Sequence, residues 1–125
     1  TDTVGSVPVI LDPAKLVALQ RAVHRVSLDT TLGNYLQAVI QATRTSPLLS
    51  LGASTRGAIA LANAARARAL VRGRTYCIAD DIHDLAVPVL AHRIRLSTHA
   101  DGFIPSRDET EAAVREIISR VPVPL

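Results

Sequence analysis

Apolar residues recur at helical spacing along most of the chain, and most periodic stretches open on a residue that can cap a helix. The first begins at Asp12-Pro13, with Asp at the cap and Pro where its missing N–H costs nothing. Leu16, Leu19 and Val23, with Val17, give it an apolar stripe. Residues 24–27 read as a short link with some strand character. A second helix is expected from about Asp29 to Ala42, where Leu32, Tyr35, Leu36, Val39 and Ile40 follow the 3.6-residue period and Gly33 is a weak spot. Ser46-Pro47 ends it and opens a loop reaching Ser54. A third helix spans Thr55 to Arg72 and stops at Gly73, suited to a left-handed cap. Alanine on nearly every side of it lets neighbours approach closely, so it is expected to be the central helix. Thr75 to Ile78 is a brief apolar link that could pair with residues 24–27. A fourth helix runs from Ala79 to about Arg93, with Asp80, Asp81 and Asp84 near its start, Arg93 and Arg95 near its end, and Pro88 as a predicted kink. After a loop over 96–105, Ser106 and Glu109 form a capping box that opens a C-terminal helix at about 106–121. Ala113, Val114, Ile117, Ile118 and Val121 give it one apolar face, and Pro122 and Pro124 end it.

The predicted fold is therefore all-α: a bundle of four helices plus a C-terminal helix, with room for a minimal two-strand pairing. Residues 1–11 form an extended lead-in and residues 12–125 the helical domain. Composition agrees. Apolar residues make up 48% of the 125, but aromatics only 2%, so the core must be built from Leu, Ile, Val and Ala. No apolar run approaches the roughly 20 residues of a membrane span, and no leader is expected. The lone Cys77 excludes an internal disulfide framework and fits a reducing cytoplasm. The chain lacks methionine and opens at Thr1, which suits a removed start methionine and a piece of a longer protein equally.

Charge narrows the function classes. The formal net charge is +3, carried almost wholly by arginine, with Lys15 the sole lysine. Acids are interspersed, and no dense basic face with stacking aromatics is evident, which makes nucleic acid an unlikely partner. The pattern with most chemistry is Leu51-Gly52-Ala53-Ser54-Thr55-Arg56-Gly57, running into the alanine-rich helix. A glycine approach, Ser54 as cap, Thr55 and Arg56 in the first turn make a candidate anion site, because free backbone amides and the helix dipole favour phosphate there. Arg56 adds a planar donor fork. The same stretch superficially matches a hydrolase elbow, but the final glycine and a preceding strand are missing, so Ser54 reads as a cap. Asp80, His83 and Asp84 share a helix surface without a convincing metal-ligand set, and His92 faces away from His83. Arg66, Arg68, Arg72 and Arg74 read as surface or interface, since Arg66 and Arg68 point about 200° apart. No phosphate-loop motif is present, so this segment alone is not expected to hydrolyse ATP or to bind it tightly.

The run from Leu51 to Ile94 resembles the C-terminal lid domain of MoxR-type AAA+ ATPases. That family carries a Gly-Ala-Ser-Pro-Arg motif, an alanine-rich helix, a Leu-Arg-Gly-Arg-type turn, a Tyr-Val-Thr-Pro-Asp-Asp-Val link and a helix ending near His-Arg. Gly52-Ala53-Ser54, Arg56, Arg72-Gly73-Arg74, Tyr76, Asp80-Asp81, Pro88, Val89-Leu90 and His92-Arg93 fall in this order. The helix at Leu16–Gln20, Ala42-Thr43-Arg44 and the closing Val121-Pro122-Val123-Pro124 match as well, so the likeness covers most of residues 7–124. Two positions depart: Thr55 stands in place of the proline, and Ile78-Ala79 in place of Thr-Pro, which removes a good helix cap worth ~1 kcal/mol.

The resemblance implies that Arg56 is the sensor-2 arginine, reaching from the lid to the nucleotide's terminal phosphates. It implies ATP and Mg2+ as cofactors of an intact protein, a separate N-terminal ATPase domain, a homo-oligomeric ring, and chaperone-like remodelling of partners, often von Willebrand factor A-domain proteins. The alternative is a stand-alone helical module that binds protein or DNA. A helix-turn-helix would need a tighter link than residues 44–53 and a more exposed third helix.

Overall fold

The computed structural model describes residues 3–98 and 104–124. Among these residues five helices form in chain order, α1 (Pro13–Arg25), α2 (Thr30–Thr45), α3 (Thr55–Val71), α4 (Ala79–Leu90) and α5 (Arg107–Ser119), with two short strands, β1 (Leu49–Leu51) and β2 (Arg95–Leu96). The lead-in is not wholly extended, because Val4–Ser6 closes a single 3-10 turn.

The caps act as the side chains require. The carboxylate of Asp12 accepts from the Lys15 amide at 2.8 Å, and that of Asp29 from the Leu32 amide at 2.9 Å. The hydroxyl of Ser106 accepts from the Glu109 amide at 3.2 Å. At the end of α3, Gly73 takes φ +76°. Its amide donates to the Leu70 carbonyl and the Arg74 amide to that of Ala69, both at 2.9 Å, which closes a Schellman motif. Ile78 has no side-chain acceptor for the start of α4. The carboxylate of Asp81 instead reaches back to the Ile78 amide at 2.8 Å, half of a capping box.

The core lies where α2, α3, α4 and α5 meet. Val39, Leu61, Ile82, Leu90 and Val114 are fully buried there, each worth about 1.5–3 kcal/mol of transfer free energy. Along α3 the buried positions are Gly57, Leu61, Ala65 and Ala69, four residues apart, and this small-residue ridge lets α4 pack closely. The helix touches α1, α2 and α4 and so is central. It is not enclosed on nearly every side, however, since Ile59 and Val71 remain exposed.

Three boundaries differ from expectation. The second helix continues past Ala42 to Thr45, because Thr43 turns inward one period after Val39 and Ile40 and Pro47 provides the stop. The region before Ser54 is not all loop: β1 pairs antiparallel with β2, Leu49 opposite Leu96 and Leu51 opposite Arg95, with a bulge between. Leu49, Leu96 and Ile117 form a small second core beneath it. The fourth helix ends at Leu90 and tightens into a 3-10 turn over Ala91–Arg93. The expected link between residues 24–27 and 75–78 is present only as one parallel bridge, Ser27 with Tyr76. The stripe on α1 forms but stays outside the core. No residue of this helix is buried, and Leu16, Val17 and Leu19 are 42–48% exposed.

Candidate functional site

The approach to α3 is set by close contact with α2. A Cβ on Gly52 would stand 2.6 Å from both the Cα of Arg44 and the carbonyl oxygen of Thr43, so only glycine fits. The next residue, Ala53, is buried, and α2 holds both its backbone groups. Its amide donates to the Thr43 hydroxyl at 3.0 Å, and its carbonyl accepts from Arg44 Nε at 2.8 Å. Ser54 then adopts an extended conformation, φ −84° and ψ 173°, and its hydroxyl accepts from the Gly57 amide at 3.3 Å. That hydroxyl is a helix cap, as the sequence indicated.

Thr55 and Arg56 occupy the first turn, both exposed. Their amides have no hydrogen-bond acceptor among the described residues, as expected at the first two positions of a helix. No acid lies in this turn, and the Arg56 side chain makes no hydrogen bond or ion pair with any described residue. A second arginine stands close by. The Cδ of Arg93 lies 3.5 Å from where a Gly57 Cβ would be, and Arg93 Nε is buried without a partner. The first turn of α3 thus joins an unpaired arginine to the positive end of a helix, with the aliphatic stem of Arg93 packed near Gly57 and no acid in that turn. Such an arrangement repels cations and favours a multiply charged anion.

The other candidates are accounted for within the fold. Arg68 and Arg74 are not free surface or interface groups. Arg74 grips Asp81 with two bonds of 2.7 Å, and Arg68 binds the Asp84 carboxylate at 2.8 Å and the Asp80 carbonyl. The turn at Gly73 swings Arg74 back towards the start of α4, which a helical wheel does not show. Arg66 meets the Asn63 side chain at 3.5 Å, and Arg72 stays exposed. Burial alone would raise the pKa of Asp81. The Arg74 hydrogen bonds, the Ile78 amide and the Arg74 and Arg68 charges outweigh it and hold the carboxyl below its ordinary value. Asp84 is held low chiefly by its hydrogen bond with His83, then by Arg68. With Asp84 so engaged, Asp80, His83 and Asp84 do not converge on a common point, and no trio of potential metal ligands exists among the described residues. The Cys77 thiol is pushed up, first by burial and then by Asp81, so it is not a poised nucleophile. A groove of about 560 Å³ between α4 and α5, lined by Val87, Pro88, Ile118 and polar neighbours, includes none of Ser54, Thr55 or Arg56.

Sequence reasoning missed Thr43, Arg44 and Arg93 as parts of this site. The stretch Ala42-Thr43-Arg44 carried the one available signal, its place in the family pattern, but its role depends on a contact ten residues away.

Comparison with known proteins decides the family. The profile of the AAA lid domain matches residues 41–117, the part of the chain that holds the α2–α3 junction, α3, α4 and most of α5. This chain belongs to the AAA lid domain family. The lid is of the MoxR type. It is 30% identical over 124 residues to Chaperone MoxR1 of Mycobacterium tuberculosis, a match covering 92% of this chain and 32% of that protein. It is 43% identical over 111 residues to YeaC of Bacillus subtilis, described as uncharacterized, covering 87% of this chain and 33% of the relative. The crystal structure of a candidate ATPase from Cytophaga hutchinsonii superposes with a TM-score of 0.72 at 28% identity, over 84% of this lid and 34% of that chain. The lid spans about a third of the length of the curated relatives it matches. No helix among the described residues is long and apolar enough to cross a membrane.

Proposed function

We propose that this lid works within a MoxR-type AAA+ ATPase, in which Arg56 acts as the sensor-2 arginine and contacts the terminal phosphates of ATP. The observation that carries the reading is the first turn of α3: an exposed arginine and open amides at a helix N-terminus, with no acid in that turn. A cation there is unfavourable against the helix dipole by about 0.3–1 kcal/mol, a cost that a bound phosphate removes. The lid supplies only this part of the pocket. ATP and Mg2+ are held in our reading by an N-terminal ATPase domain of the same polypeptide, because the chain itself has no phosphate loop. The apolar residues left exposed on α1 and its lead-in, among them Leu16, Leu19, Val9 and Ile10, suit the surface that such a domain covers. Movement of the lid then couples nucleotide state to the shape of a homo-oligomeric ring and to chaperone-like remodelling of partners, including von Willebrand factor A-domain proteins, in the cytoplasm. A helix-turn-helix reading fits poorly, since α3 packs against α1, α2 and α4 and is not free to enter a groove.

Removing one charged donor to a phosphate weakens the interaction by ~1.5–3 kcal/mol, or roughly ten- to a hundredfold. Arg56→Ala in the intact protein should therefore lower ATP turnover or nucleotide-dependent assembly by about that factor, with the thermal transition of the lid unchanged. Normal turnover and normal assembly in that variant would overturn the assignment.

A further inference from the structure

We infer that Thr43 and Arg44 are positioning residues for Arg56, fixing the direction in which the first turn of α3 meets the nucleotide. The inference rests on the sensor-2 reading of Arg56. It starts from the backbone of Gly52 and Ala53, which lies against the last turn of α2 at a separation that admits no side chain on Gly52. Two consecutive residues of α2 then take both polar groups of Ala53. The Thr43 hydroxyl is fully buried and donates its one proton to the Ile40 carbonyl at 2.6 Å, which leaves a lone pair to accept the Ala53 amide. Arg44 Nε holds the Ala53 carbonyl. This peptide lies one residue before the cap Ser54 and three before Arg56. The end of α2 and the start of α3 therefore turn as one body.

Arg44 faces solvent, and its planar fork is used here on a single main-chain carbonyl. That makes it informative. Its loss removes little packing but frees the Ala53 carbonyl, so the angle of the α3 first turn loosens while the core remains. A merely structural role would lower the melting temperature without acting through Arg56. A positioning role loses its effect once Arg56 is gone.

The test is steady-state ATP turnover of the intact protein carrying Thr43→Val, Thr43→Ser, Arg44→Ala, Arg56→Ala and the two double variants with Arg56→Ala, with the thermal transition of each recorded. Thr43→Val and Arg44→Ala should lower kcat about five- to tenfold. Thr43→Ser, which restores the hydroxyl, should stay within about twofold of wild type. Neither Thr43→Val nor Arg44→Ala should lower turnover further in the Arg56→Ala background. If Thr43→Val does not fold, Arg44→Ala and its double variant carry the test. Unchanged turnover in Thr43→Val and Arg44→Ala, beside an impaired Arg56→Ala, overturns the positioning role alone. So do losses that multiply with that of Arg56→Ala. Normal turnover in Arg56→Ala removes the sensor-2 reading and the positioning inference with it.

Discussion

Asp81 carries the one fully buried charge among the described residues, and it links two parts of the fold. Its carboxylate caps α4 through the Ile78 amide and ties the α3–α4 turn through Arg74. Breaking a buried pair by removing one charge is costly because the partner is left uncompensated. Asp81→Asn should therefore destabilise the lid by about 1.5–3 kcal/mol at pH 7, measured by urea unfolding. The carboxyl is held below its ordinary value when folded. Its contribution is thus complete above the ordinary carboxylate value and is lost as pH falls from that value down through the lowered folded one. The gap between wild type and Asp81→Asn should shrink as unfolding is repeated towards about pH 3. A gap independent of pH would contradict this account. The arginines that make the network were in view in the sequence, but their partners were not. Arg68 and Arg74 fall on different faces of an ideal helix, and only the left-handed turn at Gly73 brings them to one carboxylate cluster.

At the scale of elements, local signals were the legible ones. Asp12, Asp29, Ser54 and Ser106 each cap the helix they precede, and the inward residues of α2 and α5 follow the 3.6-residue period. Non-local pairing was not legible. The strand β1 is three residues long, and its partner lies some 45 positions away, so no alternating pattern marks either. The same limit applies to the site. Ser54 and Arg56 could be singled out from capping and charge, whereas Thr43 looked like an ordinary polar residue near a helix end. Only the Gly52–Ala53 contact gives its hydroxyl a purpose. One departure from the family pattern offers a direct test at this scale. Thr55 sits at the first helical position with no acceptor for its amide, and Ser54 before it is already extended, as a following proline requires. Thr55→Pro should stabilise the lid by about 0.4–1 kcal/mol, read as a higher midpoint in denaturant. A lower midpoint would mean that the turn is not free to accept a fixed φ.

The whole molecule has two unlike surfaces. Around α4 and α5, charges are paired along and between helices, as in Arg107 with Glu111 and Arg120 with Glu116. Around α1 and the lead-in, large apolar side chains face outward, and at the α3 N-terminus Arg56 stands without an acidic partner among the described residues. Both of the latter features are unfavourable for an isolated domain in water and are accounted for if an ATPase domain and its nucleotide complete them. Under the proposed function, Arg56 senses the terminal phosphate of ATP. The most direct test compares equilibrium affinities of the intact protein for a non-hydrolysable ATP analogue and for ADP, with and without Arg56→Ala. The variant should lose affinity for the ATP analogue roughly tenfold or more and change little towards ADP. Equal affinity of wild type and Arg56→Ala for the ATP analogue would contradict that role.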